Sequence, residues 1–278
     1  MKKTLLKGSI VLAAALSLAA QVPFAQFVGT DVTVVSAEEM KLKDGTYTAV
    51  SDADERGWAL KHVIEVKDGK VASSKFDYTN DKGEMKSENA EYNKMMAEKS
   101  KVSFADAAKT LDEALVKGQS ADVEVVSGAT NSTDAFKFST KVLLKAAAEG
   151  KTEEINISKL TLQDGTYTLE ADADQRGWTT KFILEVKDGK VAKADYDMYK
   201  DGKRKSEDPE YNKVMAEKTK VSFADAVKKL NEEAVAGKVE VVSGATNTSK
   251  AFTTYYNALM QAAKLGDTEV IKAKVIAE

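Results

Sequence analysis

The feature that most constrains the fold of this chain is an internal duplication. The stretch "DGTYTAVSDADERGWALKHVIEVKDGKVASSKFDY" begins at Asp44, and "DGTYTLEADADQRGWTTKFILEVKDGKVAKADYDM" begins at Asp164. Two later pairs follow in the same order, "EYNKMMAEKSKVSFAD" with "EYNKVMAEKTKVSFAD" and "VEVVSGATNSTDAF" with "VEVVSGATNTSKAF". Units of this length are domains rather than solenoid repeats, so the sequence predicts two similar domains in tandem.

The repeat sets the predicted domain limits. We expect a signal peptide over residues 1–37, a first domain over 41–150, a polar linker "KTEEINIS" over 151–158 and a second domain over 159–278. The basic and apolar start "MKKTLLKGSIVLAAALSLAA" predicts secretion with cleavage after Ala37, which places the protein outside the cell or at its surface. The alternative is an uncleaved anchor over Ser9 to Gly29.

The composition excludes several kinds of chemistry. The chain has no cysteine, one histidine and a formal net charge of −3. Thiol redox motifs, covalent c-type haem and iron–sulfur clusters need cysteine, and zinc or copper sites need more imidazole or thiolate than is present. The interleaved, slightly acidic charge argues against nucleic acid as a partner. Any redox chemistry would therefore depend on an organic cofactor.

Local patterns predict an α+β fold, with an antiparallel sheet and packed helices in each domain. Asp68-Gly69 and Asp188-Gly189 sit between alternating segments and predict tight hairpins. "SFAD" predicts serine-capped helices, "VEVV" a short buried strand, and the segment after "SGAT" an amphipathic helix. The serine caps and the helix-ending glycines are Ser103, Ser222, Gly150 and Gly266.

The motif "SGAT" thus lies in a turn before a helix. Gly128 and Gly244 can adopt positive φ and let a ligand approach the backbone, and a helix N-terminus attracts phosphate. The alternative is a plain capped turn, for which any of the hydroxyl residues that follow would serve as caps. Those candidates are Ser132, Thr133, Thr248 and Ser249.

"SGATNST" and "SGATNTS", together with "DGTYT", "RGW" and "VEVKDGKV", resemble the FMN-binding domain family of the NqrC and RnfG subunits of bacterial redox pumps. The resemblance extends over both halves and implies that a separate flavin transferase esterifies the threonine of each motif to FMN. The implied attachment sites are Thr130 and Thr246. The implied cofactor-binding residues of the turns are Ser127, Gly128, Ala129, Ser243, Gly244 and Ala245.

The overall likeness is to exported two-domain flavoproteins of Gram-positive bacteria. It implies an electron-transfer flavoprotein rather than a stand-alone enzyme, with two covalent FMN groups. A membrane NADH dehydrogenase or quinone system would be the donor, and ferric iron or soluble flavin the extracellular acceptor. The alternative from another class is a cofactor-free surface protein whose repeats bind a wall polymer or a host ligand.

The chain departs from the family pattern in two ways. Glu124 and Glu240 stand where the family usually has aspartate. Flavoproteins of this kind are also lipoproteins, whereas a chain without cysteine has no thiol to acylate. The sequence therefore predicts that this protein is not a lipoprotein.

"RGW" supplies further candidates for the flavin site, the pairs Arg56 with Trp58 and Arg176 with Trp178. Tryptophan would lie near the flavin ring and arginine would favour the negative charge of its reduced form. In the alternative, tryptophan belongs to the core and arginine pairs with nearby aspartates, which by themselves lack the oxygen ligands that calcium needs. Other residues with open roles are Tyr92, Tyr211, Met95, Met96 and Met215, each either packed or beside the flavin.

Overall fold

The computed structural model of the chain describes residues 41–275, and the predicted signal peptide over residues 1–37 lies outside them. The same succession of elements occurs twice, which confirms the predicted α+β class. The first half contains β1 Gly45–Val50, β2 Ala59–Lys67, β3 Lys70–Thr79, α1 Ala90–Ser100, α2 Phe104–Gly118, α3 Thr130–Glu149 and β4 Ile155–Asn156. The second half contains β5 Gly165–Ala171, β6 Thr179–Lys187, β7 Lys190–Lys200, β8 Lys203–Arg204, α4 Pro209–Thr219, α5 Phe223–Val235, α6 Thr246–Leu265 and β9 Ile271–Ala273.

The long hairpins of the two sheets turn at the predicted dipeptides. Asp68 and Gly69 both have positive φ, 53° and 73°, and join β2 to β3. Asp188 and Gly189 do the same between β6 and β7. Two consecutive residues with positive φ match the right-handed twist of the flanking strands, which is why Asp-Gly specifies this turn.

Each sheet also has a parallel edge strand that the sequence did not predict. The strand order is β3-β2-β1-β4 in the first sheet and β8-β7-β6-β5-β9 in the second. β4 and β9 run parallel to β1 and β5, so neither sheet is purely antiparallel. β4 comes from the stretch 151–158, and Ile157 after it is buried. The stretch predicted to be the short linker between the domains therefore completes the first sheet, while the outer limits of the two domains stay a prediction.

The helices cover one face of each sheet. α2 packs on β3 and α3 on β1 and β2; in the second half α5 packs on β7 and α6 on β5 and β6. Ser103 caps α2 by accepting a hydrogen bond from the backbone N–H of Asp106, and Ser222 caps α5 in the same way, as predicted. α3 and α6 end at Gly150 and Gly266, both left-handed, which also confirms the prediction.

The two halves meet where α3 faces α6. The Nζ of Lys145 donates a hydrogen bond of 2.5 Å to the carbonyl oxygen of Leu265, at the end of α6. Lys264 of α6 lies 6.0 Å from the centroid of the Phe138 ring on α3. Lys141, between these contacts on α3, is buried, and that burial lowers its pKa to about 7. The long helix of each half thus forms both the wall of its own domain and the contact with the other.

His62 is a core residue. Its Nδ1 lies 2.7 Å from Oγ of Ser139 and its Nε2 3.0 Å from Oγ of Ser74, while its ring packs 4.8 Å from that of Phe136. Burial lowers its pKa to about 3. Phe182 occupies the corresponding buried position in the second sheet. The position is therefore a packing site shared by both halves.

We expect His62→Phe to make the protein less sensitive to acid. The unfolded chain binds a proton at the ordinary histidine pKa of 6.5, whereas the folded chain does so only near 3, so stability falls as the pH drops between these values. At pH 4 this linkage costs about 3 kcal/mol, and the phenylalanine variant lacks it.

The measurement is the free energy of urea unfolding at pH 7 and pH 4, followed by circular dichroism. Phe182→Leu serves as the control, because it removes apolar packing by an amount that does not depend on pH. An equal loss of stability between the two pH values in wild type and His62→Phe would contradict the prediction.

Candidate functional site

The two "SGAT" motifs occupy the same place in the two halves, at the start of the long helices. Thr130 is the first residue of α3 and Thr246 the first residue of α6, and both are exposed. The preceding "VEVV" segments are not strands, which corrects the sequence prediction. Instead of pairing with a strand, the N–H of Val126 donates to Oγ1 of Thr133, and the N–H of Val242 donates to Oγ of Ser249.

The glycine of each motif lies against the end of another helix. Gly128 has a φ of +82°, and a Cβ at this position would lie 2.2 Å from the carbonyl oxygen of Ser100, the last residue of α1. Gly244 has a φ of +83°, and its Cβ would lie 2.5 Å from the carbonyl oxygen of Thr219, the last residue of α4. Both the conformation and the contact exclude a side chain. The turn is therefore fixed by packing against helix α1 or α4.

The helices that begin at the motifs also lack side-chain caps. Their N-cap residues are Ala129 and Ala245, whereas the other four α-helices of the described chain are capped by the side chains of Asn89, Ser103, Asp208 and Ser222. Thr133 and Ser249, predicted as caps, instead donate to the carbonyl oxygens of Ala129 and Ala245 within the helix. The first-turn N–H groups of α3 and α6 therefore have no side-chain acceptor. This arrangement favours an anion.

A cleft of about 330 Å³ opens beside the first turn of α6. This volume lies within the range of small-molecule sites. Its polar lining includes Arg176 from the loop before β6, and Asn247, Thr248 and Lys250 from α6. Tyr196, Met198 and Tyr255 supply much of its apolar wall. Of the predicted site residues, Arg176 thus lines the cleft, and Asn247, the residue after Thr246, lines it too. Lys250 was missed although it follows Thr246 by one helical turn.

One aspartate before each "RGW" holds the loop. Asp54 Oδ1 accepts hydrogen bonds of 2.9 Å from the backbone N–H groups of Arg56 and Trp58. Asp174 does the same for Arg176 and Trp178 at 2.8 Å. These carboxylates set the position of the arginine side chain through its backbone. Within residues 41–275, no cluster of three or more acidic or histidine side chains could hold a metal ion.

Each of the two tryptophans lies near a lysine side chain. Lys205 is 2% exposed, and its Nζ lies 5.5 Å from the ring centroid of Trp178 and 4.5 Å from that of Tyr211. Its Nζ also lies 3.5 Å from the sulfur of Met198, which lines the cleft. These aromatic rings form a cage around Lys205. The sequence did not predict it, because its residues come from a loop, a 3₁₀ turn and two helices. Trp178 is not among the residues that line the cleft, and Lys205 connects it to Met198, which is.

The first half has the same cage. Lys86 lies 5.8 Å from the ring centroid of Trp58, 4.7 Å from Tyr78 and 4.6 Å from Tyr92. The tyrosines and tryptophans left open by the sequence thus pack around a cation. The three methionines left open by the sequence differ in burial. Met96 and Met215 pack against the core, whereas the side chain of Met95 is 44% exposed.

The region of the chain that the structure describes contains no helix that combines the length and the apolar character needed to cross a bilayer. Glu124 and Glu240 are both exposed in the segments before the turns. Glu240 forms an ion pair of 2.8 Å with Lys238. Neither glutamate thus belongs to the buried part of the site.

Comparisons with known proteins agree on the family. The family model described as "FMN-binding domain" matches residues 177–261, a range that includes the second motif and the first sixteen residues of α6. A 15 kDa lipoprotein of Treponema pallidum (strain Nichols) is 36% identical over 116 residues, which cover 41% of this chain and 82% of that protein.

Two solved structures are also similar. The CPE2226 protein of Clostridium perfringens is 39% identical, with a TM-score of 0.41, over 42% of this chain and 97% of that one. A protein of Clostridium thermocellum, solved by NMR, is 24% identical, with a TM-score of 0.26, over 41% of this chain and 95% of that one.

The relationship to a lipoprotein contradicts the prediction on localisation. That prediction held that this exported protein is not a lipoprotein, and it rested on the absence of cysteine alone. The relative that is 36% identical over 116 residues is named a lipoprotein, so the prediction was wrong to exclude that class. The identity and coverage of this relative, together with the matched model, settle the family: the chain belongs to the FMN-binding domain family and is a flavin-binding protein.

Proposed function

We propose that the protein is an electron carrier with two FMN groups, joined through their phosphates to the hydroxyl oxygens of Thr130 and Thr246. A flavin transferase attaches them. A membrane NADH dehydrogenase or quinone system supplies electrons, and extracellular acceptors such as ferric iron or soluble flavin receive them.

The observation that carries this proposal is the pair of uncapped helix starts. In both halves an exposed threonine begins a helix whose first-turn N–H groups have no side-chain acceptor, behind a glycine that packing makes obligatory. A phosphoester at the threonine would place its oxygens next to those N–H groups and at the positive end of the helix dipole. A plain structural turn gains nothing from leaving a helix uncapped.

The residues present fit the cofactor. The threonine hydroxyls are accessible to an enzyme that must bring a nucleotide to them, and Arg176 and Lys250 supply positive charge at the cleft beside α6. Bound flavin supplies two-electron chemistry that amino-acid side chains lack, so this chain needs no acid or base of its own. Its residues hold the phosphate, shape the cleft and set the local charge.

Covalent loading can be counted directly. After co-expression with a flavin transferase, we expect the intact mass to show two added FMN groups in wild type and one in Thr130→Val or Thr246→Val, because each variant lacks one acceptor oxygen. Thr110→Val, an exposed threonine of α2, is the matched control and should retain both.

An unmodified protein mass in the presence of active transferase would contradict the proposal and favour a cofactor-free binding protein. Loss of both groups from a single variant would show that the two sites are not independent.

The glycine contact gives a second prediction. Gly128→Ala should destabilise the first half by about 3 kcal/mol, since the methyl group meets both an unfavourable φ and the carbonyl oxygen of Ser100. Gly202→Ala is the control: it also has positive φ, but nothing lies within 4 Å of its Cβ position, so we expect a cost of only about 1 kcal/mol. Urea unfolding measures both. Equal costs would show that the contact does not constrain the turn.

A further inference from the structure

The two attachment turns share a backbone but differ in charge one helical turn further on. Asp134 follows Thr130 by four residues on α3, and Lys250 follows Thr246 by four residues on α6. Residues four apart in a helix lie on the same face. Each threonine therefore has a charged neighbour on its own face, and the two neighbours have opposite signs.

The structure places both charges at clefts. Lys250 is exposed and lines the cleft beside α6 together with Arg176. Asp134 is half-buried and lines a second cleft, between the first turn of α3 and the side of α6. Burial raises the pKa of Asp134 to about 6, against the opposing effect of Lys137, so its carboxyl group is largely ionised at pH 7.

The neighbouring loops add to the difference. Gln175 lines the second-half cleft next to Arg176, and the matching position before Arg56 is Glu55. Lys264 of α6 lines the cleft that contains Asp134 and offsets part of the negative charge there. Lys137, three residues after Asp134 on α3, adds a second positive charge near the first site. The exchange of glutamate for glutamine changes the charge by one unit and that of aspartate for lysine by two, so two lysines do not balance both exchanges. The first site is thus the more negative of the two.

Charge of this kind acts on the reduction of a flavin. Oxidised FMN takes up two electrons and one proton to give the anionic hydroquinone, so its ring gains one negative charge. A nearby cation stabilises that charge and a nearby carboxylate opposes it, in the same direction at any position around the group. The protein's charges therefore tune the reduction potential.

We propose that Lys250 and Asp134 set unequal reduction potentials at the two sites, the flavin on Thr246 having the more positive one. Electrons that reach either flavin then collect at equilibrium on the second half. This inference rests on the proposed function, because it assumes that both threonines carry FMN. It goes beyond that function by giving the relay a direction, from the first half of the chain to the second.

Variants with one attachment site separate the two flavins. In co-expressed full-length protein, Thr130→Val retains only the second flavin and Thr246→Val only the first. Each is titrated with dithionite under nitrogen in the presence of a reference dye, and its absorbance gives the midpoint potential. We expect the more positive midpoint for Thr130→Val, and a smaller difference at high salt because both charges are partly hydrated.

Substitutions that reverse the charge of Lys250 and Asp134 test whether these two residues cause the difference between the midpoint potentials. Adding Lys250→Asp to Thr130→Val should lower the midpoint, and adding Asp134→Lys to Thr246→Val should raise it, each changing the reduction equilibrium constant on the order of tenfold. Lys250→Gln and Asp134→Asn should give smaller shifts in the same directions. Lys228→Asp, at an exposed position of α5 away from the cleft, makes the same change of charge and should leave the midpoint of the second flavin unaltered.

The outcomes separate this inference from the proposed function. Loaded proteins with equal or reversed midpoints, or charge variants that shift no more than Lys228→Asp, would overturn the inference and leave the carrier function intact. An intact mass without any FMN would overturn both. Ordered midpoints that respond to both exchanges would support the direction of the relay.

Discussion

The contact between a glycine and the last carbonyl of a neighbouring helix determines the geometry of each site. At Gly128 and Gly244 the backbone approaches Ser100 and Thr219 so closely that no side chain fits. This contact fixes the turn, the turn fixes the first residue of the long helix, and that residue is the threonine. Helices α1 and α4 have no fully buried residue, and the carbonyl oxygens at their ends hold the turns in place.

The second feature of the site is that α3 and α6 have no side-chain cap at their first turn. Side chains cap four of the α-helices in the described part of the chain, and these caps are the local interactions that sequence patterns reveal most directly. The two long helices have alanine at that place, and the hydroxyl groups nearby turn inwards to the preceding segment. The first turn of each long helix therefore lacks the stability that a side-chain cap would provide, and an anion bound there would supply it.

Local chemistry made part of this fold predictable. The hairpins at Asp68-Gly69 and Asp188-Gly189, the serine caps and the glycine helix ends follow from residues that act on their own neighbourhood. The features that the sequence predicted wrongly or missed depend on residues that are far apart in the sequence. Alternating valines in "VEVV" indicate an extended segment, but only a neighbouring strand makes a sheet, and here side chains of the following helix take the backbone N–H groups. The lysine cages, formed by four separate elements, leave no short pattern to detect.

The short parallel strands β4 and β9 have a consequence for how such a chain grows. Each sheet is completed by residues that lie after its own long helix and before the next repeat, so no strand is borrowed from the neighbouring repeat. The unit of duplication is therefore a closed structure from its first strand to its last. Copies can be added end to end without unpairing an existing sheet, and afterwards each copy is free to acquire its own charge around an unchanged backbone.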